Sequence, residues 1–203
     1  MGREAGHLAF GIGTACHYPM IIIPEMFNKT KMTFDKITRM VVSSMVKRRI
    51  LGIDYGVAMI SEGVFHFMSD EEIIDTGVIF TYDEHGHPEL GNVSKSHIFN
   101  MLTQQHLKTL RITVKSRPEE IGYELLCCRP IAYDLSYATA LGLGVYNLHV
   151  KVETGCMTTI DRNGNITPLY LKDVEDENGK VKPRLVNIES ESVQVIFRNN
   201  LHY

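Results

Sequence analysis

Short apolar runs alternate with segments of helical periodicity along most of this chain, and that alternation limits the folds open to it more than any other feature. The Ile-rich run at residues 18–24 and the run at residues 55–61 are typical of buried strands. Residues 111–115 alternate in strand fashion, and residues 122–128 form a further apolar run. Strands that alternate with helices predict an α/β protein with a mostly parallel sheet flanked by helices.

Start and stop signals locate the helices between these runs. Thr33 predicts an N-cap, the apolar residues after it recur at helical spacing, and Gly52 predicts the end of that helix. Ser94 predicts the start of a second helix, which extends to Leu107. Further helices are predicted at residues 3–16, 70–75, 134–148 and 190–199, the last with a strand as the alternative.

The dipeptide Asn163-Gly164 lies between two strand-like segments, residues 156–160 and 166–170. Asn-Gly favours the tight turns that join antiparallel strands, so a β-hairpin is predicted here. The polar segments at residues 81–91 and 175–183 predict loops.

Length, charge and cysteine content exclude several classes of protein. With 203 residues the chain is long enough for one domain or two small ones. A formal net charge of −3 gives no basic surface for nucleic acid, and no apolar run approaches the roughly 18 residues of a membrane-spanning helix. The first residues lack the pattern of a leader, and the 4 cysteines include no Cys-x-x-Cys pair. We therefore expect a cytoplasmic protein without nucleic-acid or membrane partners.

Several polar residues stand where ligand sites are expected. Gly2 and Arg3 directly precede a helical pattern, and a helix N-terminus offers unpaired N–H groups and a positive dipole to anions. The guanidinium of Arg3 adds a planar set of donors suited to phosphate or carboxylate. Glu62 follows one predicted strand, and Glu25 and Tyr123 lie close to the ends of two others, where open α/β sheets bind their ligands.

Five motifs occur in order over nearly the whole chain. They are Met1-Gly2-Arg3 with the helix after it, Ile23-Pro24-Glu25, Ser61-Glu62-Gly63, the segment at residues 121–125 and the segment at residues 187–192. Together they resemble the phosphofructokinase family, most closely its pyrophosphate-dependent branch, over the C-terminal half of the family's sequence.

The resemblance implies a phosphofructokinase-like fold and an activity. Members of the family transfer a phosphoryl group from pyrophosphate or ATP to the 1-hydroxyl of fructose 6-phosphate in glycolysis, using magnesium. The resemblance implies that Met1, Gly2 and Arg3 bind the sugar or its phosphate. It also implies that Glu62 accepts hydrogen bonds from sugar hydroxyls and that Tyr123 contacts the 6-phosphate. Phosphoryl transfer depends mostly on positioning and charge stabilisation, which suits arginines and backbone donors.

The family's glycine-rich donor loop and its aspartate-bearing catalytic loop belong to its N-terminal half, which these 203 residues do not contain. The catalytic residues and the magnesium ligands are therefore expected outside them, and residues 1–203 are expected to form the sugar-phosphate-binding part of the fold. The resemblance also implies a homo-oligomer or a full-length phosphofructokinase partner, with fructose 6-phosphate as the ligand.

The sequence departs from the family at two places near these motifs. Leu126 stands where an arginine is usual, and Thr139-Ala140 stands where an Arg-Asp pair is usual. Thr159-Ile160-Asp161 is similar to a catalytic tripeptide of the family, but it follows the sugar-phosphate motifs and adjoins the hairpin turn. Three functions stay open: one half of an enzyme, a non-catalytic or regulatory partner subunit, and a truncated product.

Overall fold

The computed structural model describes residues 4–77, 94–161, 163–181 and 183–199, which form two units. The first unit is Met1–Ile121 with Arg184–Tyr203, and the second is Gly122–Pro183. The loop predicted at residues 81–91 lies outside the described residues. In chain order the elements are α1 (His7–Ala15), β1 (Met20–Ile22), a 3₁₀ turn (Pro24–Phe27), α2 (Phe34–Ile50), β2 (Ala58–Ile60), α3 (Glu62–His66), α4 (Asp70–Ile74), α5 (Lys95–Thr109), α6 (Tyr123–Leu126), α7 (Ala132–Val150), β3 (Cys156–Ile160), β4 (Ile166–Tyr170), a 3₁₀ turn (Leu171–Asp173) and α8 (Glu191–Asn199).

Strand β1 is buried on both faces and lies at the centre of the first unit. Because successive side chains of a strand point to opposite faces, its apolar run supplies two separate clusters. Met20 and Ile22 pack into one cluster, and Ile21 packs into the other. The first cluster also holds three phenylalanine rings in edge-to-face contact, with centroids 5.4, 5.5 and 6.3 Å apart: Phe34, Phe65 and Phe99.

The predicted helix starts are confirmed by their capping hydrogen bonds. The Thr33 hydroxyl accepts a hydrogen bond from the Lys36 N–H at 3.2 Å, and the Ser94 hydroxyl accepts one from the His97 N–H at 3.3 Å. Gly52 follows α2 with φ of +75°, the left-handed conformation typical of a residue that ends a helix. At the end of the chain the helical alternative is correct, because α8 forms.

The strand predicted at residues 111–115 is wrong, although its side chains do alternate. Residues 111–117 alternate between exposed and half-buried positions, as an extended segment does. Their polar partners are side chains of α5 instead of another strand, since the Gln104 amide donates to the Val114 carbonyl at 3.1 Å and to the Ser116 hydroxyl at 2.5 Å. The alternation therefore reflects packing against a helix, and residues 111–117 pair with no strand in the described part of the chain.

The strand predicted at residues 122–128 is also wrong, because this segment forms the single helical turn α6. The Cys127 N–H donates to the Tyr123 carbonyl at 2.8 Å, and the Gly122 N–H donates to the Glu124 carboxylate at 3.1 Å. These local bonds satisfy backbone groups that a strand would pair with a neighbouring strand.

The second unit contains the predicted hairpin. Strands β3 and β4 pair antiparallel from Cys156 opposite Tyr170 to Ile160 opposite Ile166, with Gly164 in the turn at φ of +84°. Helix α7 packs on this hairpin through Gly144, where an added Cβ would lie 2.6 Å from Cγ2 of Ile166. Only glycine permits so close an approach of helix and sheet.

The described residues combine helices with two small sheets. Strands β1 and β2 are parallel, with Ile22 opposite Ile60, and β3 and β4 are antiparallel. Helices with parallel strands agree with the predicted class, but the described part of the chain forms two two-stranded sheets instead of one mostly parallel sheet. Among the described helices none has the length and apolar character needed to cross a membrane.

Candidate functional site

The candidate site lies where the two parallel strands of the first unit end. The Ser61 N–H donates to the Ile22 carbonyl at 2.9 Å, which continues the parallel pairing one residue beyond β2. The segments that follow β1 and β2 therefore leave the sheet at the same edge. This carboxyl edge is where parallel sheets place their ligands, and it carries Glu25 after β1 and Glu62 after β2.

Glu62 is held in a defined position at the start of α3. The Ser61 hydroxyl caps this helix by accepting a hydrogen bond from the Gly63 N–H at 3.3 Å. The Glu62 carboxylate lies 3.5 Å from Nζ of Lys95 and 3.6 Å from Nε2 of His66. The side chains of Glu62 and Lys95 are 23% and 21% exposed, so the ion pair is shielded and still reachable by solvent.

A second carboxylate, that of Glu120, lies at the start of α5 beside Lys95. It accepts hydrogen bonds from the Ser94 hydroxyl at 2.9 Å and from the Ser96 N–H at 3.1 Å. Burial raises the pKa of Glu120, but the hydrogen bonds from Ser96 and Ser94 and the charge of Lys95 together hold this pKa below its ordinary value. The ammonium of Lys95 thus acts on the carboxylates of both Glu62 and Glu120.

Glu25 has a different environment and a different role. Its side chain is buried, with 1% of the residue exposed, and its oxygens accept hydrogen bonds from the Gly6 N–H at 3.0 and 3.2 Å and from the Val186 N–H at 3.0 Å. Because these acceptors are used within the fold, Glu25 holds backbone in place and does not face a ligand. It holds Gly6, and with it the start of α1, close to the edge where Glu62 lies.

The sequence-predicted ligand residues have different places in the structure. Met1, Gly2 and Arg3 lie outside the described residues. Glu62 lies at the carboxyl edge of the parallel strands in the first unit. Tyr123 belongs to the second unit, where it begins α6 and is 82% exposed. The roles assigned to these five residues by resemblance stay predictions.

Few sequence patterns point to the residues around Glu62. His66 stands four residues after Glu62, a spacing that brings side chains together on a helix and could have been noticed. Lys95 lies 33 positions further along the chain than Glu62, and no local pattern connects the two. Only the packing of the start of α5 beside α3 brings this ammonium to the carboxylate.

Asp161, the acidic residue of Thr159-Ile160-Asp161, serves the hairpin turn. One carboxylate oxygen accepts hydrogen bonds from the N–H groups of Asn163 and Asn165, both at 2.8 Å, and the other accepts from the Asn165 amide at 3.0 Å. These hydrogen bonds lower the pKa of Asp161 below its ordinary value, and the bond from the Asn165 side chain contributes most. Asp161 therefore stabilises the turn, and its carboxylate has turn N–H groups as partners instead of a hydroxyl nucleophile.

The side chains at the carboxyl edge suit one kind of ligand. A carboxylate only accepts hydrogen bonds, so Glu62 can bind hydroxyl groups, whereas the ammonium of Lys95 can donate to hydroxyls or to anionic oxygens. No group of three or more His, Cys, Asp or Glu side chains close enough to hold a metal ion occurs among the residues described. These side chains can therefore offer both acceptors and a donor to hydroxyl groups.

Comparison with known proteins gives a consistent set of relatives. The chain is 32% identical over 200 residues to the pyrophosphate–fructose 6-phosphate 1-phosphotransferase of Thermotoga maritima, an alignment that covers 96% of this chain and 47% of the relative. It is 31% identical over 207 residues to the protein of the same name from Naegleria fowleri, covering 98% of this chain and 47% of that protein. It is 22% identical over 236 residues to the pyrophosphate–fructose 6-phosphate 1-phosphotransferase subunit beta of Ricinus communis.

The chain spans about half the length of the curated relatives it matches. No protein-family model matches it.

Proposed function

Because this chain belongs to the phosphofructokinase family, in its pyrophosphate-dependent branch, we propose that it carries the sugar-phosphate side of a phosphofructokinase site. Its ligand in this proposal is fructose 6-phosphate. Glu62 accepts hydrogen bonds from the sugar hydroxyls, and the N-terminal residues Gly2 and Arg3 contact the sugar or its phosphate. Tyr123 contributes to binding of the 6-phosphate.

The observation that carries this proposal is the pair of Glu62 and Lys95 at the carboxyl edge of the parallel strands, 3.5 Å apart. A fixed acceptor beside a cation suits a ligand that has both hydroxyls and a dianionic phosphate. The buried bonds of Glu25 support the proposal further, because they hold Gly6 at this edge. Arg3 stands three residues before Gly6 in the sequence.

The phosphoryl donor in this proposal is pyrophosphate, in keeping with the names of the relatives. The phosphoryl-transfer step and the magnesium ion that the family uses belong to residues outside this chain. We therefore propose that the isolated chain binds fructose 6-phosphate without turning it over.

A second candidate function is that of a binding or regulatory subunit in a larger assembly. Its support is the length of the chain, which matches about half of each relative, together with plant relatives that are named as beta subunits. The two functions differ in one assay. The assay supplies fructose 6-phosphate, pyrophosphate and magnesium, together with the separately produced N-terminal half of a relative. Formation of fructose 1,6-bisphosphate in this mixture would favour one half of an enzyme, and binding without product would favour the subunit.

The binding proposal is tested by calorimetric titration and thermal unfolding of the full chain with fructose 6-phosphate, fructose and inorganic phosphate. We expect fructose 6-phosphate to bind more tightly than either part alone, because it uses both the carboxylate and the cations. At 100 times its Kd it should add about 2.7 kcal/mol to the free energy of unfolding. No binding of fructose 6-phosphate at millimolar concentration would refute the proposal.

The variant Glu62→Gln tests the assigned acceptor. It keeps the shape of the side chain and removes the charge, so binding of fructose 6-phosphate should weaken by about 1.5–3 kcal/mol, the usual value of a hydrogen bond to a charged group. The matched control is Glu189→Gln, since Glu189 is an exposed carboxylate that also pairs with a lysine, Lys29, at 3.3 Å. Equal losses in the two variants would show that Glu62 has no specific role.

A further inference from the structure

Two turns of the second unit have the same sequence pattern and the same hydrogen bonds. One begins at Asp161 and contains Asn163-Gly164, and the other begins at Asp176 and contains Asn178-Gly179. In each turn, one carboxylate oxygen of the aspartate accepts hydrogen bonds from the N–H groups two and four positions later, at 2.8–2.9 Å. The two glycines have φ of +84° and +72°, so both turns require the left-handed conformation at the same position.

The Asn-Gly pair in each turn can undergo a defined covalent reaction. The backbone nitrogen of the glycine loses its proton to solvent base and attacks Cγ of the asparagine before it, since glycine has no Cβ to block the approach. A bond forms between this nitrogen and Cγ, the bond from Cγ to the side-chain nitrogen breaks, and ammonia leaves after taking a proton from solvent. Water then opens the succinimide ring to give aspartate or isoaspartate, so the reaction consumes only water.

The folded turns leave the asparagine side chains available but engage the attacking nitrogen. Asn163 and Asn178 are exposed, and neither side-chain amide has a hydrogen-bond partner among the residues that the structure describes. The Gly164 N–H donates to the Asp161 carbonyl and the Gly179 N–H donates to the Asp176 carbonyl, both at 3.0 Å. Attack therefore requires the turn to open, and its rate follows the population of the open turn.

The two turns differ in what keeps them closed. The turn at Asn163 joins β3 and β4, which are held by five residue pairs, and the Asn165 amide adds a hydrogen bond to the second carboxylate oxygen of Asp161 at 3.0 Å. The turn at Asn178 is followed by a single bridge, Glu175 opposite Val181. Because each cross-strand pair adds stability, opening at Asn163 disrupts more contacts than opening at Asn178.

We propose that Asn178 is a site of spontaneous deamidation in the folded chain, and that the β3–β4 hairpin protects Asn163 from the same reaction. The products change the loop around Asn178. Aspartate adds a carboxylate beside those of Asp176 and Glu177, and like charges this close repel each other. Isoaspartate adds a methylene to the backbone, so the Asp176 carboxylate no longer fits both of the N–H groups that it accepts in the closed turn.

The proposal is tested by incubating the full chain at mildly alkaline pH, both folded and unfolded in urea. Digestion at acidic pH, where the reaction is slow, and mass spectrometry of the peptides then give the rate at each asparagine. The unfolded chain supplies the intrinsic rates of the two Asn-Gly pairs. We expect the ratio of the rate at Asn178 to that at Asn163 to be at least about 10-fold larger in the folded chain, because urea removes the protection by the hairpin.

Two matched variants test the turns themselves. Asp176→Ala removes the acceptor of two turn N–H groups, so it should speed the reaction at Asn178 several-fold and leave Asn163 unchanged. Asp161→Ala should do the reverse. Asn178→Gln lengthens the side chain by one methylene, which prevents the five-membered ring, so the mass change in that peptide should disappear.

Three results would overturn the proposal. The first is a ratio of rates that is the same in the folded and unfolded chain, and the second is a folded chain that stays unmodified at Asn178 while the unfolded chain reacts. The third is an Asp176→Ala variant that reacts at Asn178 no faster than the unchanged chain. The comparison with urea uses the unchanged chain, so it decides the question even where a variant fails to fold.

Discussion

Both carboxylate oxygens of Glu25 accept a hydrogen bond from the Gly6 N–H, at 3.0 and 3.2 Å, although Glu25 and Gly6 are 19 positions apart in the chain. The same carboxylate accepts the Val186 N–H, which is 161 residues away. One buried side chain therefore joins the start of α1, the end of β1 and the segment before α8. An added Cβ on Gly6 would lie 2.8 Å from Oε2 of Glu25, so this junction also requires glycine.

The first prediction concerns this buried carboxylate. Glu25→Gln keeps its volume but turns an amide NH₂ toward backbone N–H groups, so at least one buried donor loses its acceptor. We expect the free energy of unfolding to fall by about 1.5–3 kcal/mol, as for the loss of a hydrogen bond to a charged group. Urea unfolding measures this fall. The exposed Glu189→Gln should change the free energy by less than about 1 kcal/mol, and a similar loss in both variants would contradict the role given to Glu25.

The second prediction compares two glycines of α1. An added Cβ at Gly13 would lie 2.6 Å from Cγ1 of Ile21, whereas one at Gly11 would meet nothing within 4 Å. Gly11→Ala should stabilise the chain by up to about 1 kcal/mol through helix propensity. Gly13→Ala should destabilise it by about 1–3 kcal/mol, because α1 must move away from β1. Urea midpoints of both variants test the close packing of α1 on β1, and a stabilising Gly13→Ala would disprove it.

The third prediction concerns pH. The pKa of Glu120 is lowered in the folded chain, so its contribution to stability is present above its ordinary value of 4.5 and is lost as the pH falls through the folded pKa. Glu120→Gln should therefore lower the thermal midpoint at pH 7, and its difference from the unchanged chain should shrink below about pH 4.5. Midpoints measured from pH 3 to 7 give the comparison. A difference that is constant with pH would show that the Glu120 charge is not stabilised by folding.

Local signals in the sequence correctly predict the features that local interactions form, such as helix caps and tight turns. The caps at Thr33 and Ser94 and the turn at Asn163-Gly164 are correct because each is decided within four residues. The alternation at residues 111–117 is real, but the sequence does not show whether its partner is a strand or the side chains of α5. That choice depends on contacts between segments distant in the chain.

The candidate site shows the same division between local and distant information. The position of Glu62 after a parallel strand follows from the apolar run before it. Strand β2 confirms a strand there, but it is shorter than the predicted run and is exposed or half-buried instead of buried. The partners of Glu62 and Glu25 do not follow in the same way, because Lys95 and Val186 reach these carboxylates only through tertiary packing. Sequence reasoning thus located the edge of the sheet and missed the cation beside it.

The fourth prediction tests that cation and rests on the proposed binding of fructose 6-phosphate. Lys95→Met keeps most of the aliphatic stem and removes the charge beside Glu62, so fructose 6-phosphate should bind about 10-fold more weakly, and the remaining affinity should depend less on salt. The matched control is Lys29→Met, because Lys29 is also paired with a glutamate, at 3.3 Å, but is 87% exposed. Titration calorimetry at two salt concentrations measures both variants. If Lys95→Met binds as the unchanged chain does, while Glu62→Gln weakens binding, the ammonium positions the carboxylate without contacting the ligand.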